Sequence, residues 1–417
     1  MMEGWKEAPL GEVCQLINRG ISPAYTKVGG VAVLNQKCVR DHSINLQLAR
    51  RHDSTLKKVN PDRFVRVGDV LVNSTGTGTL GRVAQLREAP LEPTTVDSHV
   101  TIVRPVDGLF YPEFFGYALV AIEEQIQNGG EGCGGQTELS RSKLASGYSV
   151  RFPTDHNEQR RIVAILDEAF DAIATAKANT EKNLFSASEV FNQQHDAIFA
   201  VHAGHPDRYR LGDLAAFRNG VNFTKRSKGR GVQIIGVKDF QNHFWAPLDD
   251  LDTVTLDGDL SPIDAVSEGD ILTVRSNGNP ELIGRSMVVG SLTEPTTHSG
   301  FTIRISLDRT KAVPAYVCQF LRSRAVRRKL IDGGNGLNIK SLNQGMLAEI
   351  AVPLPPPSTQ QEIVAKIEML AKVTNDLAAI AARKLTALEE LKKSLLHQAF
   401  TGQLSAKAAD RQLAAVD

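Results

Sequence analysis

The sequence is poor in the residues that build disulfide scaffolds, metal knuckles and membrane spans. It holds 4 cysteines in 417 residues. Cys14, Cys38, Cys133 and Cys318 are scattered, so no disulfide framework or zinc knuckle fits, and reduced thiols in a cytoplasmic protein are the simplest expectation. No stretch approaches the roughly 18 uncharged apolar residues that a membrane span needs. Met1–Lys6 has no apolar run, so no signal peptide is expected. Neither sign of charge is in excess: 48 Lys and Arg against 47 Asp and Glu leave a net charge of +1. That counts against a protein that coats nucleic acid indiscriminately, which would usually be far more basic. It permits a binder whose positive charge is local.

Catalytic signals are equally scarce. There is no G-x-x-x-x-G-K-[ST] phosphate loop. The Asn/Asp-Pro-Pro-aromatic motif that holds a flipped base is missing; Asn60-Pro61-Asp62-Arg63 fails at its third position. His202 and His205 have no Cys or carboxylate cluster beside them, so a loop at a helix end explains them better than a metal. Gly76-Thr77-Gly78-Thr79-Leu80-Gly81 has the G-x-G-x-x-G form. A dinucleotide turn must open a helix, whereas Arg82–Leu86 reads as another strand. A hairpin loop is expected instead, with Gly76 and Gly78 supplying positive φ. No catalytic residue and no metal site are expected.

What is present is a duplication. Leu10-Gly11-Glu12 reappears as Leu211-Gly212-Asp213, and Gly30, Val31, Val33 and Lys37 as Gly231, Val232, Ile234 and Lys238. Val67–Leu71 is echoed by Glu268–Leu272, Gly81-Arg82 by Gly284-Arg285, and Gln159, Ile162 and Val163 by Gln360, Ile363 and Val364. The offset stays between 200 and 203. Solenoid repeats run roughly 20–50 residues, so the repeated unit is a domain plus a connector.

Within each copy, β-branched runs bounded by Gly or Pro predict short strands. They fall at Val31–Leu34, Val70–Asn73, Arg82–Leu86 and Val100–Val103, then at Val232–Ile235, Ile271–Arg275, Arg285–Val289 and Phe301–Ile305. Helices are predicted over Pro112–Ile126 and Pro314–Leu330, each followed by a Gly-rich loop, Asn128–Gly135 and Gly333–Gly336.

A long helix follows each copy. Asp155 with Glu158, and Ser358 with Gln361, have capping-box spacing. Ile162, Leu166, Ala169, Ile173, Ala176 and Thr180 alternate by four and three; so do Ile363, Ile367, Leu370, Thr374, Leu377 and Ala381, with Leu388, Leu391 and Leu395 beyond. That is a coiled-coil seam. The expected fold is α+β: two similar mixed α/β domains, 1–153 and 204–353, joined and spaced by helices at 154–203 and 354–404. A tail follows at 405–417. Paired antiparallel, the helices make a rod of roughly 60 Å with a pseudo-two-fold axis. Such a chain imitates the dimeric readers of two-fold symmetric duplex DNA.

Loop chemistry supplies candidate DNA contacts, although the same residue types dominate ordinary turns. Asn73, Ser74, Thr75 and Thr77 line one hairpin; Arg275, Ser276, Asn277 and Asn279 line its counterpart. Lys225, Arg226, Lys228 and Arg230 crowd a loop, and Arg322, Arg324, Arg327, Arg328 and Lys329 crowd a helix whose first-half equivalent carries Glu123 and Glu124. An anionic partner is expected for such uncompensated runs, though a solvated face is the usual reading. Arg19, Arg82, Arg218, Asn219, Lys238, Arg285 and Lys340 complete the candidate DNA-binding set.

The ordered set resembles the specificity subunit of Type I restriction–modification systems. The residues that carry the resemblance are Gly68-Asp69-Val70-Leu71 and Gly269-Asp270-Ile271-Leu272, each with its following Gly-Arg. Pro153 with Asn157-Glu158-Gln159, then Pro353, Pro355 and Pro356 with Gln360-Gln361-Glu362-Ile363, resemble the start of the family's helices. Ala399-Phe400-Thr401-Gly402-Gln403-Leu404 resembles their end. Thr359 departs from the Glu expected before Gln360, and Ala197–Gly204 fits poorly beside Ala399–Leu404. The resemblance implies two target recognition domains, each reading part of a split, double-stranded DNA target. The helices between them set the unread spacer and dock two copies of the modification (methylase) subunit, with Gln159, Ile162, Gln360 and Ile363 as partner-binding candidates. A restriction subunit joins the full complex. S-adenosylmethionine and ATP then belong to partner subunits, and no cofactor is expected on this chain. The alternatives are a self-sufficient DNA methyltransferase or nuclease, and a protein-only scaffold.

Overall fold

The computed structural model describes residues 4–130, 137–202, 206–224, 227, 229–241, 243–332 and 341–404. The chain divides into two compact units, Met1–Thr180 with Arg383–Asp417, and Glu181–Ala382.

In the first unit, Cys14–Arg19, Val100–Pro105, Val70–Asn73 and Val83–Gln85 form a four-stranded antiparallel sheet in that order. Thr94–Val96, Val31–Leu34, Arg50–His52 and Tyr25–Thr26 form a second, in which Thr94–Val96 runs parallel to Val31–Leu34. Trp5–Pro9 pairs with Ser149–Pro153 and ties the start of the domain to its end. The second unit repeats the plan: Ala215–Asn219, Thr302–Leu307, Ile271–Val274 and Ser286–Val288 in one sheet. Asp252–Thr255, Gly231–Ile235 and Thr296–His298 form another, and Arg208–Arg210 pairs with Ala351–Pro353. Each unit encloses its own apolar core, centred on Phe114, Phe115 and Leu119 in the first and on Tyr316, Val317 and Leu321 in the second. The predicted strands all form, with ends shifted by one or two residues.

The repeated Leu-Gly is a close-approach point. Leu10–Val13 and Leu211–Leu214 each make a single helical turn against a short helix, Arg141–Ser146 or Gln344–Ala348. A Cβ on Gly11 would lie 3.2 Å from the Ala145 carbonyl oxygen, and one on Gly212 would lie 2.9 Å from the Ala348 Cβ.

Both predicted mid-domain helices are broken in two. Pro112–Ala121 and Glu123–Asn128 meet at Ile122, and Pro314–Arg322 and Arg324–Asp332 meet at Ser323. No Pro or Gly marks either break. In the second unit Ser323 turns extended, its hydroxyl donates to the Phe320 carbonyl at 2.7 Å, and the freed Arg324 amide donates to the Asp196 carboxylate at 2.9 Å. In the first, the break delivers Glu123, whose carboxylate accepts from the Val83 amide at 2.9 Å.

The long helices are His156–His202 and Pro357–Phe400. Asp155 caps the first by accepting from the Asn157 amide at 3.0 Å. The second starts one residue before the predicted cap. Pro357 stands at its first position, where a missing N–H costs nothing, and Ser358 is already helical. The stripe of the first helix is buried at Ile162, Leu166, Ile173 and Thr180. Within the first unit the helices run antiparallel: Arg161 donates to the Leu404 carbonyl, and Lys177 pairs with Glu389. The second stripe needs correction. Leu377 and Leu391 are 47% and 46% exposed. The seam keeps the expected Thr374, Ala381 and Leu388 and passes through Ala378, Leu385 and Lys392, still alternating by four and three, with Ala378 and Lys392 each one residue beyond Leu377 and Leu391.

Candidate nucleic-acid interface

A hairpin loop closes each main sheet. In the first unit the chain leaves Val70–Asn73, turns through Ser74–Arg82 and returns as Val83–Gln85. The expected glycine roles hold: Gly76, Gly78 and Gly81 have φ of 103°, 74° and 82°. The loop opens a strand rather than a helix, so it offers no helix N-terminus to a pyrophosphate.

The two loops share one backbone scaffold. The Asn73 amide bonds the Arg82 carbonyl, as Val274 bonds Arg285. Ser74 N–H reaches His99 O and receives Leu139 N–H, while Arg275 N–H reaches Phe301 O and receives Leu342 N–H. A short bridge on each side, Thr75 with Glu138 and Ser276 with Ser341, completes the match. On this common frame the side chains differ.

Asn73 and Ser74 are fully buried. Asn73 Nδ2 donates to the Gln36 carbonyl at 3.1 Å, and the Ser74 hydroxyl is bonded to that of Thr101. Their polar groups shape the loop, and the proposed base contacts therefore move outward. Thr75 Oγ1 is bonded to His99 Nδ1 at 2.6 Å, and Thr77 is exposed at the tip. Arg82 spans the loop, donating to the Gly78 carbonyl at 2.9 Å. In the second unit Asn279 caps the turn Pro280–Leu282 by accepting from the Glu281 amide at 3.0 Å, and Asn277 accepts from Asn279 N–H at 2.8 Å. Arg275 and Ser276 are half-buried beside them.

Several basic candidates already have acidic partners. Arg19 pairs with Glu138, and its other nitrogen donates to the Leu139 carbonyl at 2.8 Å. Arg218 pairs with Asp264 at 2.6 Å, and Lys238 with Asp252 at 2.6 Å. Asn219 and Arg230 are exposed. Arg285 donates to the Gln241 and Glu281 carbonyls. Lys225, Arg226, Lys228 and Lys340 lie outside the described residues, as do Cys133, His205, the tail and most of both Gly-rich loops.

The partner-binding candidates turn inward. Gln159 is fully buried; its Oε1 accepts from the Tyr111 amide at 2.6 Å and its Nε2 donates to the Pro153 carbonyl at 2.8 Å. Gln360 does the same with the Val313 amide and the Pro355 carbonyl, both at 2.8 Å. Ile162 and Ile363 are buried in the cores. These residues clamp each long helix to its own domain.

The sequence reading noted the repeated Gly-Asp but missed its partner. Arg104 grips Asp69 through Nε and Nη2, both at 2.7 Å, and the pair is buried. Arg304 stands at the matching place near Asp270. The 200-residue spacing of the two arginines was the available signal.

Two separately cored copies of one loop-bearing sheet domain, each clamped to a long coiled-coil helix, define a duplicated recognition protein. The chain belongs to the family described as the Type I restriction modification DNA specificity domain, whose model matches twice, over residues 2–184 and 207–389. It is a Type I specificity subunit with two target recognition domains. It is 21% identical over 440 residues to the Type I restriction enzyme EcoKI specificity subunit of Escherichia coli (strain K12), spanning 97% of this chain and 90% of that one. It is 28% identical over 146 residues to the StySPI specificity subunit of Salmonella potsdam, a match that spans 34% of this chain and 31% of that one. Two solved structures share the fold. One, from work on complex assembly and conformational transition of the type I R-M system, has a TM-score of 0.75 at 17% identity, covering 97% of this chain and 99% of its own. The other, the HsdS subunit from Thermoanaerobacter tengcongensis, has a TM-score of 0.58 at 17% identity, covering 97% and 98%.

Proposed function

We propose that this chain is the non-catalytic DNA reader of a Type I restriction–modification complex. Each recognition domain reads one part of a bipartite duplex target. The long helices set the unread spacer and, with the domains, dock two methylase subunits; a restriction subunit joins the full complex. The site of action is cytoplasmic, where the DNA is. The observation that carries the reading is the twofold family match on two units with separate cores. The shared backbone frame of the two loops supports it, because one scaffold holding different side chains suits a target with two unlike halves. Exposed Thr77 and Asn279, with half-buried Arg82, Arg275 and Asn277, are the proposed contacts. Arg and Asn read base edges bidentately, and Thr is tolerant.

The test is the methylation pattern of DNA exposed to the methylase partner with and without this chain. A bipartite motif that appears only with the chain is expected. Modification of the same sites by the methylase alone, or methyl transfer by this chain alone, overturns the reading.

A further inference from the structure

The second unit contains a cleft of about 760 Å³. One wall is the first long helix at Phe191 and His195, another the second long helix at Ala371 and Thr374, and the rest comes from the domain. Three arginines, Arg285, Arg322 and Arg327, line it together with the aromatic residues Phe244 and Trp245.

Their hydrogen bonds all go to carbonyl oxygens. Arg322 Nη1 donates to the His243 and Ser286 carbonyls at 2.9 and 2.8 Å, and its guanidinium lies 5.6 Å from the Phe244 ring centre. Arg285 and Arg327 both reach the Glu281 carbonyl. Arg327 Nε is buried with no hydrogen-bond partner. Among the described residues no carboxylate lines the cleft and none forms an ion pair with these three side chains. Burial, together with the neighbouring charges of Arg285 and Arg322, pushes the Arg327 pKa down, and Glu281 only partly offsets this. Trp245 is 49% exposed.

The matching place in the first unit is built from other residues. His42, at the position matching His243, is bonded to the Glu123 carboxylate at 2.6 Å and to Lys392 Nζ at 2.9 Å. Lys392 also sits over the Phe170 ring, 5.1 Å from its centre. In the second unit Ala371 matches Phe170 and Phe191 matches Lys392, so the lysine is replaced by a ring and the ring by a methyl group. The acid is missing too: the helix that begins with Glu123 in the first unit begins with Arg324 in the second.

We propose that this cleft binds a phosphoryl group carried by a nucleotide, with the arginine trio on the phosphate and Trp245 against the base. Three guanidinium groups suit a multiply charged phosphate better than a lone carboxylate. An aromatic face beside such a clamp is how bases are held without sequence readout. The phosphate has two sources, a free nucleotide or the DNA backbone. With a free nucleotide as the source the proposal stands apart from the DNA-reader function; with the DNA backbone as the source it rests on that reading.

The full chain with Trp5→Phe keeps Trp245 as its one indole, since the sequence has 2 tryptophans. Titration with dAMP is expected to quench its fluorescence, and inorganic pyrophosphate is expected to compete. Arg327→Gln should weaken dAMP binding at least about tenfold, with Arg327→Lys retaining most of it. The thermal midpoint of ligand-free Arg327→Gln should be unchanged or higher, because a repulsion is removed. If dAMP and pyrophosphate do not bind, but Arg327→Gln weakens duplex binding by the assembled complex uniformly across sequences and lowers its salt slope, the phosphate belongs to DNA. The proposal is overturned if Arg327→Gln leaves dAMP, pyrophosphate and duplex binding unaltered. It is also overturned if that variant impairs only assembly with the methylase, which would assign the cleft to a protein carboxylate.

Discussion

Asp69 and Asp270 occupy matching places in the two units but are held differently. Asp69 accepts two bonds from Arg104 and one from the Arg66 amide, with side-chain exposures of 1% and 8% for the pair. Asp270 accepts from the Ser306 hydroxyl and the Ser267 amide, and Arg304 stands off at 3.7 Å. Removing one partner of a buried ion pair strands the other charge, at about 3–5 kcal/mol. Losing a hydrogen bond to an otherwise satisfied group costs about 0.5–1.5 kcal/mol. Asp69→Asn should therefore destabilise its unit more than Asp270→Asn destabilises the other. Denaturant unfolding of the two variants checks this, and equal losses would contradict it. A second residue makes stability depend on pH. His298 is 1% exposed, and burial with the nearby charge of Arg304 pushes its pKa down to about 4. Thr302 Oγ1 donates to the Ser299 carbonyl, so His298 Nδ1 donates to Thr302 and Nε2 is left buried without a proton or a partner. The unfolded chain takes up the proton first, near the ordinary pKa of about 6.5. The stabilising preference for neutral histidine is full above that value, declines as pH falls, and is lost once pH passes about 4. The swing is about 3 kcal/mol. His298→Leu should flatten the pH dependence of unfolding between pH 7 and 4, and an unchanged slope would place the effect elsewhere.

At the scale of elements, Gln159 and Gln360 explain why each long helix starts where it does. Each closes a loop amide and the carbonyl of a preceding proline with one buried side chain. Gln159→Ala leaves both groups buried and unpaired, so a loss of at least about 2 kcal/mol is expected in thermal or denaturant unfolding. Gln159→Glu should lose at least as much at neutral pH, because a buried carboxylate oxygen would face the Pro153 carbonyl where the amide donor stood. Weakened methylase association in these variants should track unfolding, because neither glutamine faces outward. The strands and the start of the first long helix were legible in the sequence, since both depend on local periodicity and capping. The break at Ser323 was not, because its reason lies 127 residues upstream in Asp196, which caps the freed amide. The seam of the second helix was misread at Leu377 and Leu391 for a related reason. Leucine was taken for burial, whereas helix geometry carries the seam through Ala378 and Lys392, whose ammonium lies over the Phe170 ring. The hairpin loops were found from their repeated position. Which of their side chains point out was hidden, because Asn73 and Ser74 are spent on Gln36 and Thr101, residues distant in sequence.

At the scale of the whole molecule, the duplication gives a sharper test of function than any contact residue. If the helices between the recognition domains are a ruler, length along them must translate into distance along DNA. Lys177 and Glu389 face each other across the antiparallel pair. Seven residues inserted after Lys177, with seven more before Glu389, preserve the heptad phase on both helices. At 1.5 Å per residue the insertion adds about 10 Å, or about three base pairs at 3.4 Å each. The methylation motif of cells carrying this variant and the methylase partner should keep the bases of both half-sites and gain about three positions between them. Its affinity for the original target should fall, since only one half can then be seated. Neither recognition loop is touched, so altered bases would mean that the helices shape readout directly. An unaltered spacer would mean that something other than these helices sets the distance.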